Sequence, residues 1–119
     1  MMDAMAQSIL ERVREIVSAG ALDQASVYSG GLKRAGESVR CGDTSITLDW
    51  DAHIVFVDLE PGANWGHSCC YLAIGQGTGD FIQVPARMPP HLKAESPAFK
   101  LLWHGPLAPK WAVWQQEEG

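Results

Sequence analysis

The chain has 119 residues, of which 46% are hydrophobic and 19% charged, and its formal net charge is −5 at pH 7. This length predicts one domain over residues 1–119, and the composition is that of an ordinary globular protein. The negative charge argues against general nucleic-acid binding, which needs clustered Lys and Arg. Charges interrupt the apolar N-terminus, and the longest uncharged run, 61–79, is rich in glycine. We therefore expect neither a signal peptide nor a membrane span.

The first predicted element is an amphipathic helix over about residues 3–19. Apolar residues recur there at steps of three and four, with Asp3 as the N-cap and Gly20 as the stop. The next segment, 20–36, contains Gly30-Gly31 and Gly36, which interrupt any long element. It is predicted to be a connector, in which Leu22 to Tyr28 fits a short helical turn or an extended link.

Period-two alternation starts at residue 37 and predicts a β-rich region to about residue 115, with five to seven short strands. Turns at Gly42-Asp43 and Asp51-Ala52 would give two successive hairpins. The shared register puts one set of residues on a single buried face: Val39, Cys41, Ile46, Leu48, Trp50, Val55, Val57 and Leu59. The opposite, partly wet face would carry Arg40, Ser45, Thr47, Asp49, Ile54, Phe56 and Asp58.

These elements predict an α+β fold of two layers, in which the N-terminal helix packs on one face of a largely antiparallel β-meander. Later strands are expected at 68–75, 81–84, 99–103 and 111–114. Prolines confine the last of these to a sheet edge or a short piece.

The stretch EPGANWGHSCCY, residues 60–71, is the first candidate for chemistry. In an extended strand Cys69 and Cys70 point to opposite faces, which argues against their acting as a metal or redox pair. His67 and Cys69 lie two residues apart and share a face, so a thiol nucleophile with His67 as base, assisted by Asn64, is one hypothesis. The structural alternative is a turn leading into a half-buried strand whose cysteines are small core residues.

Metal and cofactor motifs are absent from the sequence. The histidines and cysteines are scattered, with no CxxC, HExxH or HxxxH spacing, so we expect no metal site and no cofactor. The three cysteines, Cys41, Cys69 and Cys70, are an odd number with an adjacent pair, which is unlike a secreted disulfide framework. A reducing cytoplasm suits them.

The distribution of charge is the most informative sequence signal. Residues 41–86 contain no Lys or Arg, while their carboxylates are Asp43, Asp49, Asp51, Asp58, Glu60 and Asp80. A field of one sign steers a partner of opposite sign, although ordinary solubilising charge would produce the same count.

The leading hypothesis is a small acidic cytoplasmic module that docks a basic surface of another protein, as an inhibitor, an immunity-type protein or an adaptor would. Segment 41–86 would supply the contact through Asp49, Asp51, Asp58 and Glu60. The alternative is the thiol enzyme built on Cys69. A third hypothesis is a sugar or peptide binder that uses Trp65 and Trp114 as stacking or anchoring residues. The sequence leaves the oligomeric state open.

Overall fold

The computed structural model describes residues 4–17, 19–41, 44–59, 69–86 and 99–108. Its helices are α1 (Ala4–Ile16) and α2 (Ala19–Leu22). Its strands are β1 (Ser26–Lys33), β2 (Ser38–Cys41), β3 (Thr44–Thr47), β4 (Ala52–Asp58), β5 (Cys69–Gly75), β6 (Phe81–Ala86) and β7 (Lys100–His104). Five strands form an antiparallel sheet in the order β6-β5-β4-β1-β7, and β2 and β3 form a separate hairpin. The predicted α+β fold is confirmed.

Helix α1 forms because its apolar residues line one face. Ile9, Leu10 and Val13 are buried in it, and the Val17 amide donates to the Val13 carbonyl at 2.7 Å just after the helix ends. The predicted stop at Gly20 is wrong, since Gly20 lies inside α2. None of the described helices has the length and apolar character that crossing a membrane requires.

The predicted connector 20–36 in fact contains β1, an inner strand that lies between β4 and β7. Gly30-Gly31 does not break this strand, because the pairing with β4 shifts there through a bulge between Ser29 and Gly31. Gly31 has a φ of 87°, which suits glycine. A Cβ on Gly30 would come within 2.9 Å of the Phe99 ring, so its lack of a side chain admits that ring.

The first predicted hairpin is confirmed, with Cys41 opposite Thr44 and Val39 opposite Ile46. The second register is wrong, because β4 pairs with β1 and β5, which puts Val55 opposite Ser29 and Leu72. The β2–β3 hairpin lies in the chain between β1 and β4, which are neighbours in the main sheet. Local alternation could not show this, since the partner β1 lies in the segment that was predicted to be a connector.

The main sheet is consequently buried on both faces. The helical face holds the cluster Ile9, Leu10, Val13, Val17, Leu22, Ala25, Val27, Val55, Val57, Cys70, Leu72 and Ile74. The face toward the hairpin holds Tyr28, Val39, Cys41, Leu48, Ala52, Ile54, Phe56, Cys69, Tyr71, Ala73 and Phe99. The residues predicted to share one face are thus divided between two, and Ile54 and Phe56 are core residues. The predicted helical layer is present, and the hairpin adds a cover on the other side.

Candidate functional site

Four chemically active side chains lie in one row across four neighbouring strands at one end of the main sheet. Ser26 of β1 is directly opposite His104 of β7 on one side and Asp58 of β4 on the other. Asp58 is in turn opposite Cys69 of β5. Directly opposite side chains share a face and have Cβ atoms about 5 Å apart. We call these four residues the polar row; they lie on the hairpin face of the sheet.

The centre of the polar row carries buried polar atoms that lack partners. The Ser26 side chain is 0% exposed, and neither its Oγ nor His104 Nε2 has a hydrogen-bond partner among the residues that the structure describes. A buried polar group without a partner costs about 1–3 kcal/mol, and native proteins keep few of them. These two atoms therefore mark a place where a bound molecule would gain hydrogen bonds.

The other two residues of the polar row are a buried carboxylate, Asp58, and a buried thiol, Cys69. Asp58 is only 4% exposed and Cys69 only 3%, and each has an interaction partner. Burial raises the pKa of the Cys69 thiol to about 12, with further contributions from the charges of Asp58 and Cys70. A thiol nucleophile needs its pKa lowered. The local environment of Cys69 therefore opposes the thiol-enzyme hypothesis.

Two hydrogen bonds hold β7 against the start of β1 at this end. The Gly105 amide donates to the Ala25 carbonyl at 2.8 Å, and the Trp103 indole Nε1 donates to the Leu22 carbonyl at 2.9 Å. A Cβ on Gly105 would lie 2.4 Å from two carbonyl oxygens of the α2–β1 turn. Ser26 directly follows Ala25, and His104 directly precedes Gly105. The backbone hydrogen bond between Ala25 and Gly105 therefore holds Ser26 and His104 in position relative to each other.

The opposite end of the sheet consists of three adjoining turns, residues 34–37, 48–51 and 75–80, which we call the turn end. The Leu48 carbonyl accepts from the Gly36 amide at 2.8 Å, and the Asp51 carbonyl accepts from the Gln76 amide at 2.9 Å. These bonds bring a group of carboxylates to one end of the molecule: Glu37, Asp49, Asp51 and Asp80. All of them are exposed except Asp51, which is partly exposed.

Asp51 is the most constrained carboxylate of the turn end. It accepts from the Ala35 amide at 2.8 Å and from the Arg34 guanidinium at 3.1 Å. The Ala35 hydrogen bond is the main cause that lowers the Asp51 pKa, and Arg34 lowers it further. The basic residue that neutralises Asp51 comes from outside segment 41–86, so folding mixes signs that the linear sequence keeps apart.

The sequence-predicted site residues are divided between the two ends. Asp49 and Asp51 belong to the turn end, while Asp58 and Cys69 belong to the polar row. Glu60, Asn64, Trp65, His67 and Trp114 lie outside the described residues. The predicted common face for Asp49 and Asp58 is wrong, because Asp49 is exposed in a turn and Asp58 is buried in a strand.

Sequence reasoning missed Ser26, and it treated His104 only as one of the scattered histidines that form no metal motif. Ser26 lies in the segment predicted to be a connector, so nothing local marked its hydroxyl as buried. Only the pairing of β1 with β4 and β7 brings these residues together. Among the described residues, no group of three His, Cys, Asp or Glu side chains is arranged to hold a metal ion.

Comparisons with known proteins give no family for this chain. No protein-family model matches the sequence, no curated protein matches it, and no solved structure matches it. The proposals below therefore depend on the geometry and charge of this molecule.

Proposed function

We propose that the protein is a small non-enzymatic binding module that docks a basic surface of another protein through its turn end. The observation that carries this proposal is the position of Asp49 and Asp80. These exposed carboxylates lie in different turns of the base-free segment, and the Gln76–Asp51 backbone hydrogen bond joins those turns. Carboxylates at one end of a molecule create a local field that attracts a basic partner.

The turn end also has the aromatic contact that such an interface uses. Trp50 lies between Asp49 and Asp51 and is partly exposed, and a Cβ on Gly75 would lie 3.3 Å from its ring. Tryptophan is enriched among the residues that dominate binding energy at protein interfaces. Trp50 would anchor the centre of the contact, and the surrounding carboxylates would set its orientation and the rate of association.

Fewer carboxylates are available for docking than the sequence suggested. Asp58 is too buried to touch a partner, and Arg34 already pairs with Asp51. Asp49, Asp80 and Glu37 are the exposed carboxylates that remain at this end. Basic residues border this group, since Lys33 and Arg34 precede Glu37 in the chain and the Arg12 guanidinium donates to the Gly79 carbonyl at 2.9 Å, next to Asp80. The buried free cysteines Cys41, Cys69 and Cys70 support a cytoplasmic location.

The test is charge reversal at the turn end. A Lys- and Arg-rich peptide carrying a fluorophore is titrated with the wild type and with Asp49→Lys/Asp80→Lys, at low salt and at about 0.15 M salt. We expect the double variant to bind at least about tenfold more weakly at low salt. We also expect it to lose most of the salt dependence that the wild type shows.

The matched control is Asp23→Lys/Glu11→Lys, which changes the net charge equally but alters exposed residues outside the turn end. This control should bind the peptide far better than the turn-end variant. Equal weakening by the two variants would mean that net charge alone attracts the peptide. Unchanged binding by the turn-end variant would also defeat the proposal.

A further inference from the structure

Strand β6 forms one edge of the main sheet, and the register identifies which of its backbone groups point outward. Among the described strands, β6 pairs with β5 alone. The Gly75 amide donates to the Asp80 carbonyl at 2.8 Å, which makes these two residues a hydrogen-bonded pair. Such pairs alternate along an antiparallel ladder, so Ile82 and Val84 direct their backbone groups at β5. The backbone groups of the odd-numbered residues of β6 therefore point away from the sheet.

The odd-numbered residues are Phe81, Gln83 and Pro85, and together they make an edge that can accept another strand. Pro85 has no amide hydrogen, so the edge presents the amides of Phe81 and Gln83 and the carbonyls of all three residues. Proline at an outward position takes no hydrogen bond from the ladder with β5, which is where edge strands tolerate it. A strand added here has to supply carbonyls to two donors.

The side chains of the same three residues form a strip that the helices leave uncovered. In the register they lie opposite residues of β5 that are buried in the helical-face cluster. Phe81, Gln83 and Pro85 are nevertheless all exposed, Phe81 by 44%. Only the Arg12 guanidinium reaches over this strip among the described contacts, 5.6 Å from the centroid of the Phe81 ring. The strip therefore keeps apolar surface in contact with solvent.

Strand β6 also lacks the charges that usually protect a sheet edge. Residues 81–86 contain no Asp, Glu, Lys or Arg, whereas β7, at the opposite edge, begins with the exposed Lys100. Edge strands are commonly kept from pairing with other chains by such a charge. A basic partner would find no carboxylate to attract it along β6, while two copies of this uncharged strand approach without repulsion. The charge pattern therefore favours a second copy of this chain.

We propose that two copies of the chain pair antiparallel through β6, about a twofold axis at Gln83. In this register the two Gln83 residues lie opposite each other and each exchanges backbone hydrogen bonds with its counterpart. Each Phe81 lies opposite Pro85 of the second copy, and its amide donates to the carbonyl of that proline. Every outward amide of both strands then has an acceptor. The exposed Phe81 and Pro85 side chains cover each other across the contact.

The twofold axis keeps both proposed functions of the surface compatible. An axis perpendicular to the sheet puts the helices of both copies on the same face and makes one continuous sheet. Asp80 directly precedes β6, so in an antiparallel pair the two Asp80 residues lie at opposite ends of the contact. Each turn end therefore remains accessible. Pairing through β6 does not depend on the docking function of the turn end.

The first experiment is sedimentation velocity on the full chain over a range of concentrations, followed by hydrogen exchange of the amides. We expect a dimer with a dissociation constant on the order of 10–100 µM, because a contact of one strand pair is small. The Phe81 and Gln83 amides should become protected from exchange as the dimer forms. The Ile82 and Val84 amides, which face β5, should be protected at every concentration. A chain that stays monomeric at about 1 mM overturns the proposal.

Charge substitution at Gln83 tests the axis itself. Gln83→Lys and Gln83→Glu each put two like charges directly opposite, and each should raise the dissociation constant at least about tenfold. The side chain is exposed, so the fold should survive either change. An equimolar mixture of the two variants should regain the dimer, because Lys then lies opposite Glu.

Gln24→Lys is the matched control, since it makes the same change at an exposed position between α2 and β1. It should dimerise as the wild type does. Equal weakening by Gln24→Lys and Gln83→Lys would mean that net charge controls association and would overturn the proposal. A wild-type dimer that Gln83→Lys leaves intact would show that another surface pairs. A mixture that stays monomeric would show that the two copies do not meet at Gln83.

Discussion

The two ends of the main sheet treat polar residues in opposite ways. At the turn end, carboxylates are exposed or partly exposed, and one of them closes a turn by accepting the Ala35 amide. At the polar row, Ser26 and Asp58 are buried between strands, and two polar atoms lack partners among the described residues. The first arrangement leaves charged groups in contact with solvent, while the second withdraws polar groups from it.

This contrast shows why the distribution of charge along the sequence does not give its distribution on the surface. Asp49 and Asp58 belong to the same base-free segment, yet one is exposed and the other is almost completely buried. Arg34 comes from outside that segment and neutralises Asp51. The two ends should therefore differ in how well they tolerate substitutions and in how their stability responds to pH.

The largest expected effect is at Gly105, beside the polar row. Gly105→Ala would place a Cβ 2.4 Å from the Leu22 and Asp23 carbonyl oxygens, and backbone cannot move aside cheaply. We expect a loss of about 2–3 kcal/mol in the free energy of unfolding, as for other overpacked sites. Urea denaturation measures it. Gly20→Ala is the control, because Gly20 is an exposed helical residue with nothing within 4 Å of the added Cβ.

Gly75 is the matching position at the turn end. A Cβ there would meet the Oγ1 of the exposed Thr78 side chain at 2.2 Å and, less closely, the Asp80 carbonyl oxygen at 3.1 Å. We expect Gly75→Ala to cost less than Gly105→Ala, and the added change Thr78→Ala to recover part of the loss, because it removes the nearest contact but also the hydroxyl that accepts from the Asp80 amide at 3.0 Å. If the double variant recovers nothing, the turn end is as rigid as the row and the contrast between the ends is wrong.

The local parts of the fold were predictable because they depend on near neighbours. The apolar steps of α1, the β2–β3 register and the opposite directions of Cys69 and Cys70 all follow from periodicity within a short stretch. Strand β1 was missed because Gly30-Gly31 resembles a break. Its actual role needs Phe99, which packs where a Cβ on Gly30 would be, and Phe99 is distant in sequence.

The site was less predictable than the fold for the same physical reason. Ser26, Asp58 and His104 come from three strands, and only β1 pairing with both β4 and β7 puts them in one row. Local alternation assigned Asp58 to a partly wet face, since it could not show that the hairpin covers the sheet. Asp49 was predicted on the same partly wet face. It is exposed, but it lies in a turn and not in a strand.

The next prediction concerns the response of the hairpin face to alkaline pH, since Cys41 and Cys69 both belong to it. Burial raises the pKa of Cys41 to about 11 and that of Cys69 to about 12, from an ordinary value of 9.0. A pKa that is raised by folding stabilises the native state below the unfolded value, and this stabilisation is lost as pH rises toward the folded value. We expect the free energy of unfolding to fall from about pH 9 upward.

Single-cysteine variants separate the contributions to this fall. Cys69→Ala should reduce the loss of stability between pH 9 and about 12, while Cys41→Ala should reduce it only up to about 11. Urea midpoints measured across that range, each compared with the variant's own value at pH 8, provide the test. If neither variant changes the slope, the thiols are accessible and ionise normally, and the polar row is less enclosed than its burial indicates.

The smallest expected effect is the loss of the ion pair at the turn end. Arg34→Met removes the Arg34–Asp51 contact of 3.1 Å, but the Ala35 amide still donates to the Asp51 carboxylate. Since that backbone hydrogen bond is the main cause of the lowered pKa, we expect the Asp51 pKa to stay below its ordinary 3.8 in the variant. A carboxyl-carbon NMR titration measures this pKa directly.

The sign of the effect on stability follows from the same pKa. A carboxylate whose pKa is lowered by folding stabilises the native state above the unfolded value, and this contribution is lost as pH falls through the folded value. Arg34→Met should therefore keep most of the acid-dependent stability that Asp51 provides, whereas Asp51→Asn should remove it. If the Asp51 pKa returns to 3.8 in Arg34→Met, the surface ion pair and not the backbone controls this carboxylate. Added salt would then weaken the turn end, which a turn closed by backbone hydrogen bonds should resist.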